Sequence, residues 1–236
     1  MRYSLSIIVP VYNGDYMVGE FLEQILEVQQ QENVLEVIVV NDGSIEWSVD
    51  ESSIQKKYQD CFSVRFIHHQ KNFGKGAAVR SGIEASQGTH ALMLDVDCAT
   101  APESVLEIIR ESQKNPQSVI CGSRYMKGGS IEKPQKKWRQ RAGSVGAHIV
   151  KILFRISHQD TQCGAKIFPG SFGEEIVSET VSNRWAADVE WLVLAQKKGF
   201  TVKSVPVMWS DGKTSQVKPW HFVATAWDVL MIRLRS

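Results

Sequence analysis

LSIIVPVYNGDYMVGEFLEQILEVQQQENVLEVIVVNDGS, residues 5–44, reads as strand, loop, helix and strand in that order. The apolar run Leu5 to Val9 stops at Pro10 and the turn-forming Asn13-Gly14-Asp15, and a helical spacing of apolar residues follows from Met17 to Gln30. Leu35 to Val40 is a second run rich in β-branched residues, closed by Asn41-Asp42-Gly43-Ser44. The same alternation continues outward. The polar segment to Tyr58 carries a second helix, Val64 to His68 a third strand, Gly76 to Ala85 a helix, and Ala91 to Leu94 a fourth strand running into Asp95-Val96-Asp97. A helix from Pro102 to Lys114, with proline in its first turn, leads to the strand Ser118 to Gly122. Strands separated by helices of this length predict an α/β fold, a mostly parallel sheet with helices on both faces. Ligands of such sheets sit at the carboxyl ends of the strands. Pro10 to Asn13, Asn41 to Ser44 and Asp95 to Asp97 all fall there, so the topology predicts that they line one crevice.

Beyond Tyr125 the pattern changes. Lys127 to Lys137 reads as a loop, Trp138 to Ile156 as a helix, Asp160 to Phe168 as extended, Ala186 to Lys198 as a helix, Val202 to Val207 as a strand and His221 to Leu234 as an amphipathic helix. We expect one elaborated domain over 1–236, with 1–123 binding a donor and 124–236 an acceptor.

Lys and Arg together number 27 against 26 Asp and Glu, a balance without the basic footprint of a nucleic-acid binder. Cys61, Cys98, Cys121 and Cys163 form no Cys-x-x-Cys pair, which argues against a zinc site or disulfide framework and fits a reducing cytoplasm. The apolar run after Arg2 is too short for a signal peptide, and no stretch holds eighteen consecutive apolar residues, so no membrane span is expected.

Asp95-Val96-Asp97 puts two carboxylates on one side of an extended chain, an invitation to a hard cation. Magnesium or manganese held by one or two carboxylates and by substrate phosphate oxygens serves diphosphate chemistry in this way. The alternative is a solvated turn. Asp42, directly after its strand, could accept hydrogen bonds from a nucleobase or ribose, or could merely cap a turn. Asn72-Phe73-Gly74-Lys75-Gly76 opens a helix and offers backbone N–H groups and an ammonium to a phosphate. The spacings of a P-loop and of Gly-x-Gly-x-x-Gly are both missing, which removes the main support for ATPase and dinucleotide readings.

Taken together, SIIVPVYN (6–13), VVNDGS (39–44), NFGKGAAVRSG (72–82) and LDVD (94–97) resemble family 2 glycosyltransferases of the GT-A fold. The resemblance implies a donor site at Pro10, Val11, Tyr12, Asn13 and Asp42, with Lys75 nearby. It also implies that Asp95 and Asp97 serve Mg2+ or Mn2+ and the diphosphate of a nucleotide sugar of the UDP-glucose or GDP-mannose type. GSRYMKGGSIEK (122–133) and DTQCGAKIF (160–168) resemble the polyprenyl-phosphate sugar synthases, the second block especially the dolichyl-phosphate glucosyltransferases. That likeness implies inverting transfer of glucose or mannose to a lipid phosphate bound by arginines, Arg124 by motif and Arg139 and Arg141 by position. Asp188-Val189-Glu190 resembles the family's acidic pair near the acceptor, where Asp188 would be a general base for a hydroxyl acceptor; the plainer reading is a first-turn helix acid.

Two departures matter. Gly14 stands where the family has Glu, so any acidic role there shifts to Asp15, and Ala99 replaces a Gln found in some lipid-phosphate mannosyltransferases. The hydrophobic C-terminal spans of some relatives are missing, so membrane contact is expected from the surface of the domain, at a cytoplasmic face. Arg141, Ser144, His148, Lys151 and Arg155 form a polar, mainly basic stripe suited to an anionic membrane. An ordinary amphipathic helix packed on the sheet is the alternative, and the last helix, with Phe222, Trp227, Leu230 and Met231, has the same two readings. Two rival functions stay open. One is transfer to a sugar hydroxyl of a glycan or polysaccharide, and the other is a non-catalytic nucleotide-sugar-binding module, against which the intact Asp95 and Asp97 speak.

Overall fold

The structure is a computed structural model that describes residues 3–133, 143, 146, 149–156, 158, 160–210 and 219–235. The chain begins β1 (Leu5–Val11), α1 (Val18–Gln29), β2 (Val34–Asn41), α2 (Glu51–Tyr58), β3 (Ser63–His68), α3 (Lys75–Ala85), β4 (His90–Met93), α4 (Pro102–Lys114) and β5 (Val119–Ser123). It continues through β6 (Ser130–Lys133), a helical stretch at 149–154 (α5), β7 (Lys166–Pro169), α6 (Gly170–Ile176), α7 (Ala187–Lys197), β8 (Val202–Pro206), β9 (Met208–Ser210) and α8 (Pro219–Arg235).

Seven strands form one sheet in the order β3-β2-β1-β4-β7-β5-β8. All its pairings are parallel except those of β7, which runs antiparallel to both β4 and β5. β1 and β2 are buried almost throughout, because each face is covered by helices. Alternate residues go to opposite layers: Leu5, Ile7 and Val9 pack with Phe21 and Ile25 of α1 and Ile108 of α4, while Ile8 packs with Val79 of α3 and with Trp191 of α7 in a second core. From β1 the chain builds outward to β2 and β3, then returns to place β4 on the other side of β1. The carboxyl ends of β1, β2 and β4 therefore surround the point where strand order reverses, as the sequence predicts.

The acceptor-side reading needs three corrections. Asp160 to Phe168 is not extended throughout; residues 161–162 turn, and only Lys166–Pro169 is strand. Lys127 to Lys137 is not loop throughout, since Ser130–Lys133 pairs in parallel with Met208–Ser210 in a separate ribbon. α6 lay unread as well. Elements of three to seven residues carry too few positions for a period to emerge, and the partner of β6 lies nearly eighty residues away along the chain.

The described part of the expected Trp138 to Ile156 helix is helical only as far as Phe154; Arg155, in the left-handed region at φ 54°, and Ile156 lie beyond its end. The segment buries Val150 and Ile156 and exposes Ile149 and Ile152, so the apolar set read from sequence is divided between core and surface. α8 likewise buries Val229 and Ile232 and exposes Trp227, Leu230 and Leu234. Among the described residues no helix is long and apolar enough to cross a membrane.

Candidate active site

The turns after β1 and β2 hold each other. Asn13, in a left-handed conformation at φ 50°, donates its N–H to Ser44 Oγ at 2.9 Å and accepts the Ile45 N–H at 2.9 Å. The Asp42 N–H donates to the Val11 carbonyl at 2.8 Å. Asp15 accepts both the N–H and the hydroxyl of Ser48, and that hydroxyl holds its carboxyl below the usual range. The acid displaced to position 15 thus fastens a loop. Tyr12 is half-buried and Pro10 lies inside the β1–β2 pairing, opposite Val40.

Asp42 is buried, and its four acceptor directions are filled from within the protein. Oδ1 takes His69 Nδ1 at 2.7 Å and the Phe73 N–H at 3.0 Å; Oδ2 takes Asn72 Nδ2 at 3.0 Å and the Gly74 N–H at 2.8 Å. The other ring nitrogen of His69 lies 2.9 Å from Ser81 Oγ on α3. Asp42 thus shapes the loop that presents Lys75. Gly43 permits the approach: at φ 67° it lies so near Lys71 that a Cβ would meet the Lys71 carbonyl carbon at 2.2 Å.

Lys75 Nζ pairs with Asp95 Oδ1 at 2.7 Å and lies 5.6 Å from the centre of the Trp185 ring. Burial would lower the pKa of this ammonium, but Asp95, Asp188 and Asp97 outweigh it and hold the group charged. Burial would also raise the pKa of Asp95, and here Lys75, then Lys166 and Arg124, hold the carboxyl below the ordinary range. The far side of Asp95 rests on the backbone at Gly164, where an added Cβ would stand 1.9 Å from Oδ2. Asp97 follows on the strand-end turn, accepting the Ala99 N–H at 3.2 Å, and Cys98 between them takes φ 56°. The two side chains are partly exposed, and both offer hard oxygen donors. Among the described residues no group of three His, Cys, Asp or Glu side chains is placed to hold a metal. A cation here would take one or two protein carboxylates and draw its remaining ligands from phosphate and water, which suits Mg2+ or Mn2+.

In the half expected to bind the acceptor, two buried ion pairs stand where the sequence suggested open binding groups. The guanidinium of Arg124 forks onto Asp160, Nε to Oδ2 at 2.8 Å and Nη2 to Oδ1 at 2.7 Å, and lies against the rings of Trp209 and Tyr125. The fork holds Asp160 below the usual carboxylate range against the opposing effect of burial. His158 is buried beside it, between Ser204 Oγ at 2.6 Å and the Asp160 carbonyl at 2.7 Å; desolvation lowers its pKa. Asp188, 3% exposed, pairs with Lys166, which is fully buried and also donates to the Cys163 carbonyl at 2.6 Å. Arg139 and Arg141 lie outside the described residues.

Lys75, Asp95 and Gly164 are therefore brought together across 89 residues of chain, and Asp42 and Asn13 brace the loops after β1, β2 and β3. The sequence reading missed His69, Asp160 and Lys166. Asp160 and Lys166 lay inside a quoted block, but a buried charge announces itself in sequence only when its partner is known.

The family described as Glycosyl transferase family 2 matches residues 6–171. The chain is 31% identical over 242 residues to a dolichyl-phosphate beta-glucosyltransferase of Dictyostelium discoideum, covering 98% of this chain and 74% of that protein. It is 33% identical over 248 residues to the Homo sapiens protein of the same name, covering 98% and 75%. In fold it is similar to glucosyl-3-phosphoglycerate synthase from Mycobacterium tuberculosis, solved in complex with Mn2+, uridine diphosphate and phosphoglyceric acid. The TM-score is 0.72 at 12% identity, covering 99% of this chain and 78% of that one.

Proposed function

We propose, on the premise that this chain belongs to glycosyl transferase family 2, that it transfers a hexose from a nucleotide-diphosphate sugar to a dolichyl-type polyprenyl phosphate. The relatives named for that activity support the acceptor, and the Mn2+ and UDP bound to the fold neighbour support the donor chemistry. One observation carries the choice of a phosphate over a sugar hydroxyl: the acid expected to serve a hydroxyl, Asp188, is buried and spent on Lys166. A hydroxyl must lose a proton as it attacks, and a positioned base contributes about 10²–10⁴-fold to that step. A phosphate monoester, with its second pKa about 6, arrives already ionised.

A phosphate oxygen of the acceptor attacks the anomeric carbon while the bond from that carbon to the diphosphate oxygen breaks on the opposite face, inverting the centre. The electron pair leaves with the nucleoside diphosphate. Lys75, kept charged by the carboxylates around it, faces the developing negative charge. Asp95 holds Lys75, and Asp97 is the carboxylate we assign to Mg2+ or Mn2+. When bound, the cation supplies Lewis-acid stabilisation of the leaving diphosphate. Pro10, Val11, Tyr12 and Asn13 form the donor floor, with Asp42 holding its wall. Glucose from a uridine donor is the favoured substrate, and the reaction belongs at the cytoplasmic face of a membrane, with the domain attached peripherally.

The test is a panel of nucleotide sugars incubated with Mn2+ or Mg2+ and a short polyprenyl phosphate, following radiolabelled sugar into the organic phase. UDP-glucose should label the lipid, and Asp97→Asn should reduce labelling to background. Absence of transfer from every donor, or full transfer in excess chelator, would overturn the reading.

A further inference from the structure

A cavity of about 500 Å³ opens between α5, α7 and α8, at the end of α7 remote from Asp188. Its walls are Leu153, Phe154 and Val193, with Arg155, Lys197 and Arg233 among its polar lining, and no carboxylate lines it among the described residues. The neighbouring cavity, about 270 Å³, contrasts with it: Glu190 and Asp228 stand there beside Arg184 and Arg235, so its charges cancel. Among the described residues, Arg155 and Arg233 have no carboxylate partner within ion-pair reach.

Two further observations bear on the occupant. Large apolar side chains of two of the same helices face solvent: Ile152 of α5 is 66% exposed, and Trp227 and Leu234 of α8 are 64% and 72% exposed. Apolar side chains beside arginines are what an interfacial helix presents to a bilayer, with the rings and aliphatic groups in the acyl boundary and the guanidiniums among headgroups. The second is the backbone of Arg155 at φ 54°, a conformation at a helix end where glycine is the ordinary choice. A non-glycine residue there is strained, and the side chain carried at that position is one of those that line the cavity.

We infer that this cavity is a headgroup site for an anionic phospholipid of the bilayer, separate from the acceptor site, and that the exposed residues of α5 and α8 seat the domain on that bilayer. The inference rests on the reading that the chain works at a membrane, and it names the lipid class and the residues. Asp188 and Lys197 are nine residues apart on α7, so roughly 14 Å of helix separates the two sites. The lipid held here is therefore an anchor and not the substrate.

Sedimentation with phosphatidylcholine vesicles, with and without phosphatidylserine, tests it. Wild type should prefer the anionic vesicles, and Arg155→Gly with Arg233→Ala should lower that affinity by about fivefold per charge removed while leaving binding to neutral vesicles unchanged. Trp227→Ser with Leu234→Ser should lower binding to both kinds. Arg155→Gly alone should melt no lower than wild type, because glycine relieves the strained backbone, and Arg155→Lys should recover most of the binding. Equal sedimentation of wild type and the double arginine variant with anionic vesicles would overturn the site. Loss of vesicle binding in millimolar inorganic phosphate at constant ionic strength would reassign it to a soluble anion. Transfer to short polyprenyl phosphate in detergent is the separate control: the double variant should match wild type. If wild type itself transfers nothing, the transferase reading fails while the vesicle result still decides the headgroup site.

Discussion

Replacing Asp188 separates its two possible roles. In the structure it is an ion-pair partner: Lys166 is fully buried and also donates to the Cys163 carbonyl, so removing the carboxylate leaves an ammonium in the core without its counter-charge. Removing one partner of such a pair costs roughly 3–5 kcal/mol. At about 2–4 °C per kcal/mol for a chain of this size, melting should fall on the order of 6–20 °C. Asp188→Asn keeps one acceptor oxygen for Lys166 and should lie near the lower limit. Replacing both partners with apolar residues, as in Lys166→Met with Asp188→Leu, should recover most of the loss, because the desolvation cost of the pair disappears with it. Transfer to polyprenyl phosphate, assayed well below the melting temperature of the variant, should fall by far less than the roughly 10²–10⁴-fold that a lost general base would cause. Nucleotide affinity by calorimetry provides the control. A variant that melts like wild type, binds nucleotide normally and is slowed by the full factor would refute the argument. Asp188 would then be a base, and a hydroxyl acceptor would replace the phosphate.

Gly164→Ala should preserve the fold and slow transfer on the order of 10²-fold, since its Cβ would stand 1.9 Å from Asp95 Oδ2 and force the carboxylate or its loop aside; unchanged kinetics would show that Asp95 does not need that position. Arg124→Ala should lower stability by roughly 3–5 kcal/mol in urea melts, because it strips the buried Asp160 of its bidentate partner, while leaving nucleotide affinity unchanged. Unaltered stability would mean that the fork contributes nothing. Desolvation depresses the pKa of His158 in the folded chain, so its contribution to stability is present above the unfolded value of about 6.5 and is lost as pH falls through the folded pKa. Melting temperature should therefore drop between pH 7 and pH 5, and His158→Gln should flatten that slope; His90, depressed by desolvation as well, should keep it from vanishing.

The acid limb of stability also bears on what the linear chain can reveal. His158, which contributes to it, and its neighbour Asp160 stood inside or beside a recognisable block, yet nothing in that block marked them as buried and paired. The first half of the chain was legible for the opposite reason. β1, β2 and β4 are runs of apolar residues closed by turn-forming polar ones, and each such run dictates its own local structure from burial and backbone preference alone. Because parallel strands joined by helices can close in few ways, three strand-end motifs implied one crevice; Asp95 pairs with Lys75, and Asp42 holds the Gly74 N–H of the loop that presents that lysine.

By itself the sequence determined the alternation of elements, the family, and the strand-end residues proposed to hold the donor. Tertiary structure decided which charged groups remain available. It matched Arg124 to Asp160 over 36 residues and Lys166 to Asp188 over 22, filled all four acceptor directions of Asp42, and divided the apolar residues of α5 and α8 between core and surface. The physical reason is that hydrophobic period and turn propensity act between neighbours along the chain. Desolvation and ion pairing depend instead on what the folded chain puts within about 3 Å of a charge, and no local pattern encodes that distance.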